Sequence, residues 1–179
     1  IYEIPLVLHK QGFDKEIIKR LRLDSIVSEH KDIEYLEQFI RRFKTPRKEV
    51  TIAICGKYNT LHDAYKSILE AFIHAGVENN ARVKVKWVDT ENLVCPTDSG
   101  LPPEFESVDG ILIPGGFGHR GIEGKIRATG IARKYNIPFF GICLGLQCAV
   151  IEFARDVCQL KTANSTEFNK RTKYPVIAL

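Results

Sequence analysis

The 179 residues are 44% apolar and 27% charged with a formal charge of +4, which supports one well-packed core and excludes the compositions of disordered, collagen-like and disulfide-dense chains. Part of the positive charge sits in Lys19 to Arg22 and Arg41 to Lys48, beside apolar positions at helical spacing. It reads as solvated helix faces and a linker rather than a nucleic-acid patch, and no nucleic-acid or membrane partner is expected.

From Ile1 to Phe43 the pattern is helical, with one stripe at Phe13, Ile17, Ile18 and Leu21 and another at Ile33, Leu36, Phe39 and Ile40. Two amphipathic helices are predicted. Lys44 to Glu49 then combines a proline with charges and no apolar residue, which marks a connector and a boundary near residue 48. Beyond it, short branched runs alternate with longer helical patterns: a strand at Val50 to Cys55, a helix at Leu61 to Ala75 and a strand at Val83 to Val88. Further strands are predicted at Gly110 to Ile113, Ile137 to Ile142 and Tyr174 to Leu179, and further helices at Ile122 to Tyr135 and Leu144 to Val157. Such alternation predicts an α/β domain, a doubly wound and mostly parallel sheet with helices on both faces.

The five cysteines form no CxxC pair and no spaced Cys/His set, so neither a metal site nor a disulfide framework is expected. Apolar runs too short for a bilayer, no signal-peptide pattern and an odd cysteine count point to the cytoplasm. Cys55, Cys148 and Cys158 are expected to be core thiols. Cys143 differs, because it stands between Gly141 and Gly145 where a buried strand gives way to a helix. That is the layout of a nucleophile elbow with cysteine in the serine position. The helix aims its N-terminus at the sulfur, which favours the reactive thiolate.

An acyl-transfer nucleophile needs amide donors for a developing oxyanion. The amide of Leu144 supplies one, and the loop Gly115-Gly116-Phe117-Gly118 is positioned to supply the second. Gln147 lies one helical turn beyond Cys143 and shares its face. Gly56-Lys57 is not a P-loop, since the spaced glycine and the following Ser/Thr are missing.

The segment Gly141-Ile-Cys-Leu-Gly-Leu-Gln147 resembles the nucleophile motif of class I, triad-type glutamine amidotransferases. Gly56 to Ser67, Pro114 to Gly124 and Asn164-Ser-Thr-Glu-Phe168 resemble one branch of that family, in which glutaminase is coupled to a nucleotide synthetase. Leu146 departs from the family's usual methionine, a swap of similar volume. The resemblance implies hydrolysis of L-glutamine through a thioester at Cys143. Ammonia would pass to a synthetase domain of the same polypeptide, which converts UTP to CTP with ATP and Mg. It also implies Gly116 and Leu144 as the oxyanion hole, and Gly116, Phe117, Leu144, Gln147 and Glu167 as substrate contacts. The loop Gly118 to Gly124, with Arg120 and Glu123, is similar to a lid through which GTP activates, and the assembled protein is expected to be a homotetramer.

On the same resemblance, residues 1 to 48 would be the tail of a preceding synthetase domain with its linker, and 49 to 179 an incomplete glutaminase domain. The general base, a histidine oriented by glutamate, would lie in a His-x-Glu segment after the nucleophile, and no histidine follows Cys143. His119, on the loop, is expected to meet solvent or effector. Two other readings stay open: another cysteine hydrolase on the same elbow, such as a gamma-glutamyl hydrolase, and a non-catalytic assembly module.

Overall fold

The computed structural model describes residues 1–23, 31–56, 65–91, 93, 100–116 and 121–178. They divide into two compact units, Ile1–Glu49 with Ala71–Arg82, and Val50–Glu70 with Val83–Leu179.

Residues 1–49 of the first unit form three helices where the apolar periodicity predicts two: α1 (Ile4–Lys10), α2 (Phe13–Leu21) and α3 (Lys31–Lys44). The additional helix, α1, is only seven residues long, too short for a periodic stripe, and it carries Pro5 in its first turn, where the fixed φ of proline is suited. Gly12, in the left-handed region at φ 74°, caps α2 and separates the two. Phe39, Ile40 and Val77 make the core, with Tyr2, Leu6, Leu36 and Ile73 packed on it. The α3 stripe is thus inward as predicted, whereas Phe13, Ile17 and Leu21 of α2 stay exposed.

In the second unit the sheet order is β2-β1-β3-β4, from β1 (Lys48–Gly56), β2 (Ala81–Asp89), β3 (Gly110–Ile113) and β4 (Phe139–Gly141). β1 pairs with β3, and β3 with β4, both in parallel, so the predicted α/β fold with a mostly parallel sheet is present. Helix α4 spans Lys66–Glu78, its residues from Ala71 on belonging to the first unit, and α5 spans Ile122–Lys134 and α6 Leu144–Asp156. The strand predicted at the end of the chain is β6 (Pro175–Ile177), but it pairs with β5 (Asn164–Ser165) in a separate two-stranded sheet. β5 is two residues long and carries no alternation to detect.

β3 is buried along its whole length. Ile111 and Ile113 join Ala53, Cys55, Val88, Phe105 and α5 residues such as Ile131 in one cluster. Leu144, Cys148 and Ile151 of α6 join Ile122 and Ile126 of α5 in another, with Phe168, Val176 and Ile177 packed against it. α5 and α6 are also tied by Arg133, whose Nε and Nη2 donate to Glu152 at 2.6–3.1 Å. Glu152 is 3% exposed, and its carboxylate holds the Arg133 guanidinium above its ordinary range.

That asymmetry of exposure sets an order of effects. Arg133→Leu leaves a buried carboxylate without its cation and is expected to cost about 3 kcal/mol, while Arg133→Leu/Glu152→Leu recovers most of the loss. Urea unfolding of both single variants and the double variant checks it.

Candidate active site

The order β2-β1-β3-β4 places a topological switch point between β1 and β3, because the chain leaves β1 toward β2 on one side and leaves β3 toward β4 on the other. Ligands of open α/β sheets bind outside the carboxyl ends of the strands at such a point. Three of the predicted site segments leave the sheet there: Gly56 ends β1, Pro114-Gly115-Gly116 follows β3, and Ile142-Cys143 follows β4.

At the end of β4, the amide of Ile142 donates to Ile113 O at 2.9 Å, one step past the β3–β4 ladder. The chain then turns sharply. Cys143 sits at φ 52°, ψ −104°, as the N-cap of α6, a conformation costing about 1–3 kcal/mol for a residue with a Cβ. The two glycines around it have packing reasons. A Cβ on Gly145 would stand 2.2 Å from Ile113 O, and one on Gly141 would stand 2.5 Å from Gly145 C. The elbow therefore forms only if both positions lack side chains.

The turn presents the Cys143 side chain to solvent. A Cβ on Gly115 would lie 3.5 Å from the Cβ of Cys143, and one on Gly116 would lie 3.9 Å from Leu144 Cδ2. The β3 loop and the elbow are thus in contact. Leu144 is the first residue of α6, so its amide has no acceptor within the helix. Gln147, whose amide donates to Cys143 O at 3.2 Å, follows one turn later, and its Oε1 is buried without a hydrogen-bond partner among the described residues. A buried acceptor of that kind costs about 1–3 kcal/mol until a donor meets it.

Glu167 is exposed, in a turn where its amide donates to Ser165 Oγ at 3.2 Å. The neighbouring Phe168 packs against the cluster of Leu144 and Cys148, which brings the 164–168 segment onto α6. Glu123 lies in the first turn of α5 rather than in a loop, and accepts two hydrogen bonds from Arg155 of α6 at 2.8 and 3.2 Å. Phe117, Gly118, His119 and Arg120, residues 57–64 of the motif after Gly56, and Cys95 lie outside the described residues. Among the described histidines, His9 pairs with Asp14 at 2.6 Å and His74 stacks near Tyr2 and Phe39, both in the first unit.

The thiols are sorted by burial. Cys55 and Cys148 are buried, and burial pushes their thiols up to about 12 and about 11, with the ammonium of Lys125 pulling both back. Cys158 corrects the expectation of a core thiol: it is exposed, two residues past the end of α6, where its amide closes the helix on Phe153 O at 3.1 Å. Composition alone placed it inside; the helix terminus places it outside.

Lys125 has no assigned role in the sequence, although Ile122, Lys125, Ile126 and Thr129 follow the spacing of one buried helix face and all four are buried. Among the described residues no set of three His, Cys, Asp or Glu side chains is arranged to hold a metal ion, and no helix is long and apolar enough to cross a membrane.

The model of the family described as glutamine amidotransferase class-I matches residues 60–175. The CTP synthase of Chlorobaculum tepidum is 51% identical over all of this chain and 31% of its own length, and that of Thermus thermophilus is 51% identical over 32% of its length. The CTP synthase of Methanocaldococcus jannaschii is 50% identical over 33% of its length. The chain therefore spans about a third of the curated relatives it matches. Among solved structures, the glutaminase domain of Trypanosoma brucei CTPS with bound acivicin superposes with a TM-score of 0.63 at 40% identity, covering 73% of this chain and 50% of that one.

Two consequences of the geometry are measurable. Gly145→Ala drives a Cβ into Ile113 O and is expected to lower stability by about 3 kcal/mol or more, read from its urea midpoint. Above pH 9.0, the ordinary thiol value, the unfolded chain gives up the protons of Cys55 and Cys148 while the folded chain keeps them until about 12 and about 11. Folding stability from these thiols is complete below pH 9 and lost as pH rises toward those values, by about 1.4 kcal/mol per pH unit for each. A Cys55→Ala/Cys148→Ala chain is expected to show a shallower alkaline decline in its urea midpoint.

Proposed function

The chain belongs to the class-I glutamine amidotransferase family, and we propose that it hydrolyses L-glutamine at Cys143 and supplies the ammonia to a synthetase domain of the same polypeptide. The observation that carries this reading is the elbow itself, a strained and exposed cysteine at the N-terminus of α6 with the Gly115-Gly116 loop against it. A structural cysteine needs neither strain nor exposure. A nucleophile needs both, the turn to project its sulfur and open space for the carbon it attacks.

In the proposed reaction the Cys143 thiolate adds to the side-chain amide carbon of glutamine, and the amide oxygen takes the negative charge. The amides of Gly116 and Leu144 face that oxygen. Collapse of the adduct breaks the carbon–nitrogen bond, the nitrogen leaves as ammonia after gaining a proton, and the thioester is hydrolysed by water to glutamate and free thiol. Gln147 and Glu167 bind the amino-acid end: the buried Oε1 of Gln147 awaits a donor, and an exposed carboxylate suits an ammonium group. Gly116, Leu144 and Phe117 complete the substrate contacts, and Arg120 with Glu123 belongs to the response to GTP. That the partner reaction forms CTP is supported by the name of the CTP synthases that share this chain's sequence; amination of UTP with ATP and Mg, assembly into a homotetramer and a cytoplasmic location are carried over from the family resemblance of the sequence motifs.

A chloroketone analogue of glutamine, followed by peptide mass spectrometry, tests the site. One adduct per chain is expected on Cys143, suppressed by excess glutamine and absent from Cys143→Ala. Modification of Cys158 or a buried thiol with Cys143 untouched would overturn the assignment.

A further inference from the structure

Lys125 is 3% exposed, on the face of α5 that carries Ile122 and Ile126 into the core. Desolvating an ammonium is costly, so a fold holds one inside where its charge is satisfied and used. Its Nζ lies 3.8 Å from the position a Cβ on Gly116 would take, and the same position is 3.9 Å from Leu144 Cδ2. The charge thus stands beside the Gly116 backbone, whose amide faces the developing oxyanion in the proposed reaction, with the Leu144 side chain close to the same position. It is also close enough to Cys55 at the end of β1 and to Cys148 on α6 to act on both thiols. The other charged groups acting on Cys148 are Glu123 and Arg155, which pair with each other.

The helix that carries Lys125 is fixed at the relevant end. A Cβ on Gly124 would stand 1.7 Å from Thr90 O, so the first turn of α5 lies directly on the backbone after β2. The amide of Lys125 donates to Gly121 O at 3.0 Å, and Thr129 Oγ1 donates back to Lys125 O at 3.0 Å. The bidentate contact of Glu123 with Arg155 ties the same turn to α6. A charge on so rigid a support needs no reorganisation when a neighbouring oxygen becomes negative, and in a poorly solvated setting its effect is larger than in water.

We propose that Lys125 is a positioning residue for glutamine hydrolysis, its buried ammonium holding the Gly115-Gly116 turn and placing positive charge on the side of the developing oxyanion. The inference rests on the glutaminase reading of Cys143 and goes beyond it by assigning a third element, α5, to stabilisation of the oxyanion.

Two electrophiles separate this role from a structural one. With a chloroketone analogue of glutamine, the sulfur bonds to the chloromethyl carbon and chloride leaves while the ketone oxygen occupies the oxyanion position. With iodoacetamide the sulfur displaces iodide, and no oxygen is held there. Lys125→Met is expected to slow chloroketone labelling of Cys143 about tenfold, below the loss for removing a direct oxyanion donor, and to change the iodoacetamide rate less than twofold. Lys125→Arg is expected to restore most of the chloroketone rate. Lys125→Gln carries the same comparison if the methionine variant loses its near-ultraviolet circular dichroism. An unchanged ratio of the two rates overturns the role of Lys125. Failure of the chloroketone to label Cys143 in the unsubstituted chain overturns the glutaminase reading itself.

Discussion

The carbonyl of Ile113 is the point on which the candidate site depends. It ends a fully buried strand, accepts the amide of Ile142 at 2.9 Å, and has the first turn of α6 pressed so closely on it that no side chain fits at position 145. Close approach of helix to strand end shortens the connection between β4 and α6 to two residues. Of the two residues in this connection it is Cys143 that takes the strained conformation. The core pays for it: Ile113, Leu144 and Cys148 bury their side chains around the turn, and each such burial is worth about 1.5–3 kcal/mol for a large aliphatic residue.

The same closeness organises the charges. α5 and α6 are held together by two arginine–carboxylate pairs, Arg133 with Glu152 and Arg155 with Glu123, and Arg155 also donates to Ala163 O at 2.7 Å. One interaction set therefore connects α5, α6 and the segment leading into β5. Phe168, just past that strand, is packed on the cluster of Leu144 and Cys148. The segments that converge on the elbow are thus fixed by helix–helix ion pairs and by packing on the first turns of α6, which is how a site on loops acquires the precision of a rigid support.

Much of this was legible in the sequence where a local rule and a tertiary requirement agree. Gly141-Ile-Cys-Leu-Gly145 announces a turn that needs glycines, and the structure supplies the atoms that need them. The α5 and α6 patterns lie within one residue of the observed helices, because their apolar spacing is that of buried faces. α1 and β5 were not legible, being too short for periodicity to show. Cys158 misled because a residue type common in cores was assigned without locating the helix end that exposes it. Lys125 was written in the spacing of its neighbours, but a lysine inside an apolar stripe is ordinarily discounted as a long side chain reaching solvent. Only its near-complete burial distinguishes it from that common case.

Why one thiol of the described four is suited to chemistry follows from where the fold puts each. Cys55 on β1 and Cys148 on α6 face the interior, where burial holds them neutral far above neutral pH. Cys158 is accessible but lies beyond the C-terminus of α6, outside the strand-to-helix turn. Cys143 is accessible at the opposite end of the same helix, with the glycine loop of β3 beside it. Accessibility and a favourable helix end coincide there because a parallel sheet sends every strand into its following helix at the same edge. The residue that joins strand to helix at that edge inherits both the exposure and the dipole.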